Sequence, residues 1–197
     1  MNTEHKVRNN QISKSPSIKT QILLAHTAST ISEYFTKISK RWNGTYDAPF
    51  TYTIAADGEV YNHFNPLHYS NLFNHPDIDR QIISIGLENI GWLQQKSSEK
   101  FIDWKGHIYK GEVFEKTWRG YNWWVPYTPE QTEALLMLLP KLIEEFHIEP
   151  TFSGKNITLE DPQSFKGVLN RSNYYKCYYD LSPAFNFNLI IDKLKTT

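Results

Sequence analysis

Apolar positions change their period several times along the chain, and each change marks an element. Gln21-Ile-Leu-Leu-Ala-His26 is a short apolar run, the pattern of a buried strand. The polar cluster Thr27-Ala-Ser-Thr30 follows and can cap a helix from about Ile31 to Trp42, with Ile31, Tyr34, Phe35 and Ile38 on one face. Pro49 to Ala55 and Glu59 to His63 are strand-like runs flanking Ala56-Asp57-Gly58, which predicts a hairpin. Ile82 to Ile90 is apolar enough for a central strand. Thr128-Pro-Glu-Gln131 combines a Thr N-cap, Pro at the first helical position and Gln three residues after the cap, so a helix starts there. Ala134, Leu135, Leu138, Leu139, Leu142, Ile143 and Phe146 then form its core face, and Pro140 should kink it or break its ladder locally. Strands alternating with helices predict an α/β fold.

Phe101 to Tyr127 breaks this pattern. It holds Trp104, Tyr109, Phe114, Trp118, Tyr121, Trp123, Trp124 and Tyr127 among glycines and charges, which reads as a long insertion packed by its own aromatics and able to wall a cleft. No repeat or linker divides the chain, so the expected organisation is a flexible tail over residues 1–16, one domain over 17–192 and a short tail over 193–197. A chain of 197 residues can bury a continuous core without staples, and Cys177, the only cysteine, has no partner for an intrachain disulfide.

Lys and Arg number 21 and Asp and Glu number 21, so the formal charge is zero and nothing suggests a nucleic-acid or membrane partner. A neutral or locally polar ligand fits better, and the 15% aromatic content supplies rings for core packing and for stacking on sugars. No stretch approaches the roughly 20 apolar residues of a membrane span. Met1 to Thr20 lacks the apolar run of a signal peptide, so the expectation is a soluble protein, cytoplasmic or released without a classical signal.

Four segments carry a resemblance by their order: Ile22-Leu-Leu-Ala-His-Thr-Ala28; Phe50-Thr-Tyr-Thr-Ile54 with Asp57-Gly58 and Val60-Tyr61; Ser84-Ile-Gly-Leu-Glu88; and Asp180-Leu-Ser-Pro-Ala-Phe185. Tyr127-Thr-Pro-Glu-Gln131 and Gly167-Val-Leu-Asn-Arg-Ser172 lie between the last two. From about Gln21 to Phe187 the chain resembles the zinc-dependent N-acetylmuramoyl-L-alanine amidases of bacteria and phages, whose fold is shared with peptidoglycan recognition proteins. The resemblance implies a central mixed β-sheet flanked by helices. It also implies a cleft in which two histidines and an Asp or Cys hold zinc, leaving a position for the water that attacks the amide between N-acetylmuramic acid and L-alanine.

The motif carries over with losses. The family reads His-His-Thr-Ala where this chain has Ala25-His26-Thr27-Ala28, which puts the first ligand position at Ala25; the second falls on Arg171 in Arg171-Ser-Asn173, and the third survives as Asp180. A methyl group has no donor pair and a guanidinium has none to offer, so no zinc cofactor is expected at this degenerate site. Arg171 could instead pair with Asp180, supplying the charge a metal would have supplied. His26, on the opposite strand face from Ala25, is expected to be a hydrogen-bonded structural histidine. A displaced metal on Cys177, His26 and Asp180 is the alternative.

Glu88 matches the family glutamate after Ser-Ile-Gly and would be a general base in an active enzyme, or else order the cleft's hydrogen bonds. His68 in Leu67-His-Tyr-Ser-Asn71 matches a cleft-lining element, so His68 and Asn71 join Tyr52, Trp124 and Tyr178 as candidate ligand contacts. His63, His75, His107 and His147 show no ligand spacing. Three functional readings follow: a pseudoenzyme that recognises peptidoglycan or a muropeptide; an active amidase with rerouted ligands; and a protein-interaction or regulatory module using the aromatic insertion.

Overall fold

The computed structural model describes residues 1–2, 5–154 and 156–196. Its elements begin with β1 (Gln21–His26), α1 (Ile31–Lys40), β2 (Tyr52–Ile54), β3 (Val60–Asn62), α2 (Pro76–Asp79) and β4 (Ile82–Leu87). Five strands follow without an intervening helix: β5 (Trp92–Ser97), β6 (Lys100–Asp103), β7 (Ile108–Tyr109), β8 (Phe114–Trp118) and β9 (Tyr121–Trp124). The chain ends with α3 (Pro129–Phe146), β10 (Gly167–Asn170), α4 (Arg171–Tyr174) and α5 (Phe187–Leu194). No helix among the described residues is long and apolar enough to cross a membrane.

The central sheet has the order β10-β1-β4-β2-β3. β1 runs parallel to both β10 and β4, β2 runs parallel to β4, and only β3 is antiparallel, so the sheet is mixed as expected. Parallel strands are buried on both faces, which is why β1 and β4 read as unbroken apolar runs. Ile22, Leu24, Ile83 and Ile85 pack on one face with Leu135, Leu139 and Leu142 of α3 and Ile190 of α5. On the other face Ala25 meets Tyr34, Ile38 and Phe50, while Leu23 meets Ile78, Leu169 and Tyr174. Each large aliphatic side chain so buried stabilises by roughly 1.5–3 kcal/mol.

Helix starts follow the sequence signals. The Thr30 hydroxyl accepts from Glu33 N and the Glu33 carboxylate accepts from Thr30 N, completing a capping box. Thr128 accepts from Gln131 N, and α3 continues as one helix through Pro140. Glu88, just beyond β4, joins three elements: its carboxylate accepts from Ile31 N at 2.9 Å and from Ala56 N at 2.7 Å. Gly58 (φ +86°) turns the hairpin where any Cβ would meet the Glu130 carbonyl at 2.9 Å.

Three expectations are corrected. α1 ends at Lys40, because Trp42 and Asn43 adopt left-handed backbone (φ 50° and 55°). The aromatic insertion takes a form the pattern did not predict: β5 to β9 make a second sheet of order β7-β6-β5-β9-β8, antiparallel throughout. Its strands carry many exposed charges, so no alternating apolar face announces them; ring pairs hold it instead, including Trp92 stacked on Tyr121 with centroids 4.3 Å apart. Described residues of the segment before residue 17, expected as a flexible tail, pack on the domain. Gln11 is 2% exposed and its amide donates to the carbonyls of Ile38 and Tyr46, both at 2.8 Å, while Val7 N donates to His63 O. At the other end α5 carries buried Leu194, so the core extends past residue 192.

His63 anchors that N-terminal segment. Its Nδ1 faces the His5 carbonyl at 2.7 Å, so this nitrogen carries the proton, and Nε2 accepts from the Thr53 hydroxyl at 2.8 Å. Burial pushes the His63 pKa down to about 4 against the pull of the His5 carbonyl.

Two measurements check this account. Glu88→Ala strands the Ile31 and Ala56 amides and should cost about 2–3 kcal/mol in urea unfolding; a loss below about 0.5 kcal/mol, the level of an ordinary surface change, contradicts the joining role. His63 is neutral when folded and titrates near 6.5 when unfolded, so the unfolded chain binds more protons and stability falls as pH drops from about 6.5 to about 4. The wild type should lose roughly 3 kcal/mol more than His63→Gln across that interval, and parallel pH profiles would contradict the assignment.

Candidate functional site

The site forms where β1 and β10 end side by side. Their register pairs Leu24 with Asn170, so the next residues along, Ala25 and Arg171, lie at the same sheet edge. The chain turns into α4 at Arg171 and returns at Asp180, whose carbonyl accepts from Ser172 N at 2.9 Å. Asp180 is fully buried. Its Oδ2 accepts from Arg171 Nη2 at 2.8 Å, from Arg171 Nε at 2.9 Å and from the amide of His26 at 3.1 Å, while Oδ1 lies 3.2 Å from Nε.

The two side chains thus meet as a forked ion pair, the geometry a guanidinium favours. The Arg171 side chain keeps 19% exposure against 1% for Asp180. Burial works against the Arg171 charge, but the Asp180 carboxylate outweighs it and holds the guanidinium pKa above its ordinary value. The guanidinium also sits 4.6 Å from the Tyr178 ring.

These residues do not fit a zinc ion. Ala25 offers a methyl group to the cluster of Tyr34, Ile38 and Phe50. Arg171 occupies the carboxylate that survives. Among the described residues no group of three His, Cys, Asp or Glu side chains could hold a metal, so Cys177, His26 and Asp180 do not assemble into a displaced centre.

Beside the ion pair opens a cleft of about 250 Å³, lined by His26, Trp92, Trp104, Arg171, Cys177, Tyr178 and Asp180 among others. The second sheet supplies one wall: Trp104 is 49% exposed, and its indole N–H donates to Ala28 O at 3.1 Å. Arg119, in the turn between β8 and β9, fixes the opposite wall. It donates to the carbonyls of Tyr175, Tyr178 and Ser172 and to the Thr158 hydroxyl, so the loop carrying Cys177 and Tyr178 is tied to the second sheet. His26 lies on the opposite strand face from Ala25, yet it borders the cleft; its backbone amide donates to Asp180, and its buried Nδ1 has no hydrogen-bond partner among the described residues. Burial, opposed by Asp180 and reinforced by Arg171, pushes its pKa down to about 4.

Of the residues singled out in the sequence, Arg171, Asp180 and Tyr178 meet at the cleft and Ala25 lies at the adjoining strand end. His26, Trp104 and Cys177 line the same cleft, whereas Tyr52, Trp124, Glu88, His68 and Asn71 do not join them. Tyr52 is 5% exposed in the core under α3, and Trp124 is fully buried with its indole N–H on Lys116 O, so neither can touch a ligand. Each carboxylate oxygen of Glu88 accepts from a backbone amide, Ile31 N and Ala56 N, so the group joins α1 and the hairpin to the end of β4. His68 lies beside Lys19 and Arg80, which precede β1 and β4, at the end of the sheet away from the cleft. Asn71 is committed to Asp47 through both backbone and side chain. Trp92 and Arg119 were missed: the first lay outside the aromatic run singled out, and the second is an arginine in a turn with no local signal.

No family model matches the chain, and no curated protein does. Solved structures do. The chain is similar to the endolysin N-acetylmuramoyl-L-alanine amidase LysCS from Clostridium intestinale, at 14% identity and a TM-score of 0.56 over 98% of this chain and 97% of that one. It is similar to AmpDh3 from Pseudomonas aeruginosa in complex with an anhydromuramic pentapeptide, at 12% identity and a TM-score of 0.56 over 91% of this chain. It is also similar to the E. coli amidase AmiD in complex with the substrate anhydro-N-acetylmuramic acid-L-Ala-D-γ-Glu-L-Lys, at 16% identity and a TM-score of 0.53 over 91% of this chain. The match spans 59% of AmiD and 61% of AmpDh3, about three fifths of each. These likenesses over nearly the whole chain give it the fold of the N-acetylmuramoyl-L-alanine amidases.

Proposed function

We propose that this protein recognises a muropeptide, a muramyl sugar carrying a short peptide, in the cleft beside Arg171 and Asp180, and does not hydrolyse it by the zinc route. One observation carries the reading: the carboxylate that would hold a metal is neutralised by a guanidinium inside a cleft that stays open and lined with aromatic rings. Two proteins of the same fold have been solved with ligands of this chemistry. Arg171 spends Nε and Nη2 on Asp180, which leaves the N–H groups of Nη1 for a ligand carbonyl or carboxylate. Trp104 and Tyr178 offer faces to the apolar side of a sugar or peptide. The chain's own groups therefore bind and orient: Asp180 is held by Arg171, and Glu88 is held by the Ile31 and Ala56 amides.

Calorimetry with muramyl dipeptide tests this, with metal analysis on the same preparation. Saturable binding should appear, weakened at least ~5-fold by Trp104→Ala, the size of a lost ring contact of about 1 kcal/mol. The protein should carry no stoichiometric zinc and release no stem peptide from sacculi, whereas Ala25→His combined with Arg171→His should acquire zinc. Absence of binding at millimolar ligand, or a tightly held metal in the wild type, contradicts the proposal.

A further inference from the structure

The ladder between β5 and β9 stops early. Trp92 pairs with Trp124 and Leu93 with Trp123, and there the register ends. Gln94 and Gln95 go on pairing only with β6, on their other side, and Tyr121 pairs only with Trp118 of β8. Two neighbouring strands of one sheet therefore splay, and backbone groups that would bond across a closed ladder face an open notch. Its volume is about 340 Å³, and Trp92, Gln94, Gln95, Tyr121, Asn122 and Trp123 surround it. Backbone donors and acceptors without a protein partner need water or a ligand.

The lining selects the ligand. None of the residues around the notch is charged, which disfavours an ion. Trp92 and Tyr121 stack on each other at 20°, which fixes an aromatic wall. Gln94, Gln95 and Asn122 are exposed and bring amide groups to the rim. The Asn122 carbonyl accepts from the Thr117 hydroxyl at 3.0 Å, which directs its amide N–H groups elsewhere. Rings beside uncharged amides suit a sugar, whose C–H face stacks while its hydroxyl and acetamido groups hydrogen-bond. An extended peptide would need a longer free edge than two residues to add as a strand. Trp92 also lines the cleft, so one indole borders both cavities.

We propose that the notch between β5 and β9 is a second subsite, which takes an uncharged N-acetylated sugar of a glycan chain whose muropeptide unit occupies the cleft. The link between the two sites rests on the muropeptide reading; the sugar chemistry of the notch does not. Titration of the full chain with the N-acetylglucosamine tetramer, which has no peptide, tests it beside muramyl dipeptide. The tetramer should bind the wild type and bind the exposed-residue variant Gln94→Ala/Asn122→Ala at least ~5-fold more weakly, about 1 kcal/mol of lost hydrogen bonding. Muramyl dipeptide should bind both proteins equally, which also shows the variant is folded. No tetramer binding by the wild type, or equal binding by the variant, overturns the subsite. An acetylated tetra-alanine whose binding is lost in the same variant overturns the sugar assignment in favour of peptide. Tetramer binding that depends on the notch without any muramyl dipeptide binding overturns the cleft reading alone.

Discussion

The buried contact between Arg171 and Asp180 is the constraint on which the rest of the site depends. It closes the open end of the central sheet: the carboxylate takes the last backbone amide of β1 and the guanidinium that begins α4, so two parallel strands are clamped where their side chains stop covering each other. Burying both charges costs several kcal/mol, which their attraction offsets only because the geometry is forked and the third bond, from His26 N, is made. A metal in that place would have brought its own positive charge. Here the positive charge against the carboxylate is covalently part of the chain.

Around that pair the second sheet turns a sheet edge into a cleft. Trp104 reaches back to the Ala28 carbonyl and Arg119 reaches across to the loop bearing Tyr178, so two walls from distant parts of the sequence are bound to one another through side-chain to backbone contacts. Such contacts fix distance without filling the space between. Burial meanwhile keeps His26 neutral at the cleft edge, next to a guanidinium that also disfavours its protonation.

Much of this was legible in the sequence, and the physical reasons are specific. β1, β4 and α3 were readable because complete burial of parallel strands and of one helix face leaves unmistakable apolar periods. The meeting of Arg171 with Asp180 was implied by the family resemblance, which set both residues at metal-ligand positions of one site. The second sheet was not legible, because Phe114-Glu-Lys-Thr-Trp118 and Lys100-Phe-Ile-Asp103 have no apolar face to reveal a period of two. Tyr52 and Trp124 were misjudged because an aromatic residue type does not say which face of a strand it occupies. The docking of Gln11 depends on two carbonyls, those of Ile38 and Tyr46, that become available only where α1 ends and the chain turns, which no local pattern around Gln11 encodes.

A double-mutant cycle on the ion pair, with Arg171→Met, Asp180→Asn and the combination compared by urea unfolding, tests the central claim most directly. A clamp of this kind predicts that each single change costs about 3–5 kcal/mol and that the two together cost much less than their sum, a coupling of about 2 kcal/mol or more. Additive losses, with coupling below about 0.5 kcal/mol, would mean that the two groups stabilise the fold independently and that no such clamp exists.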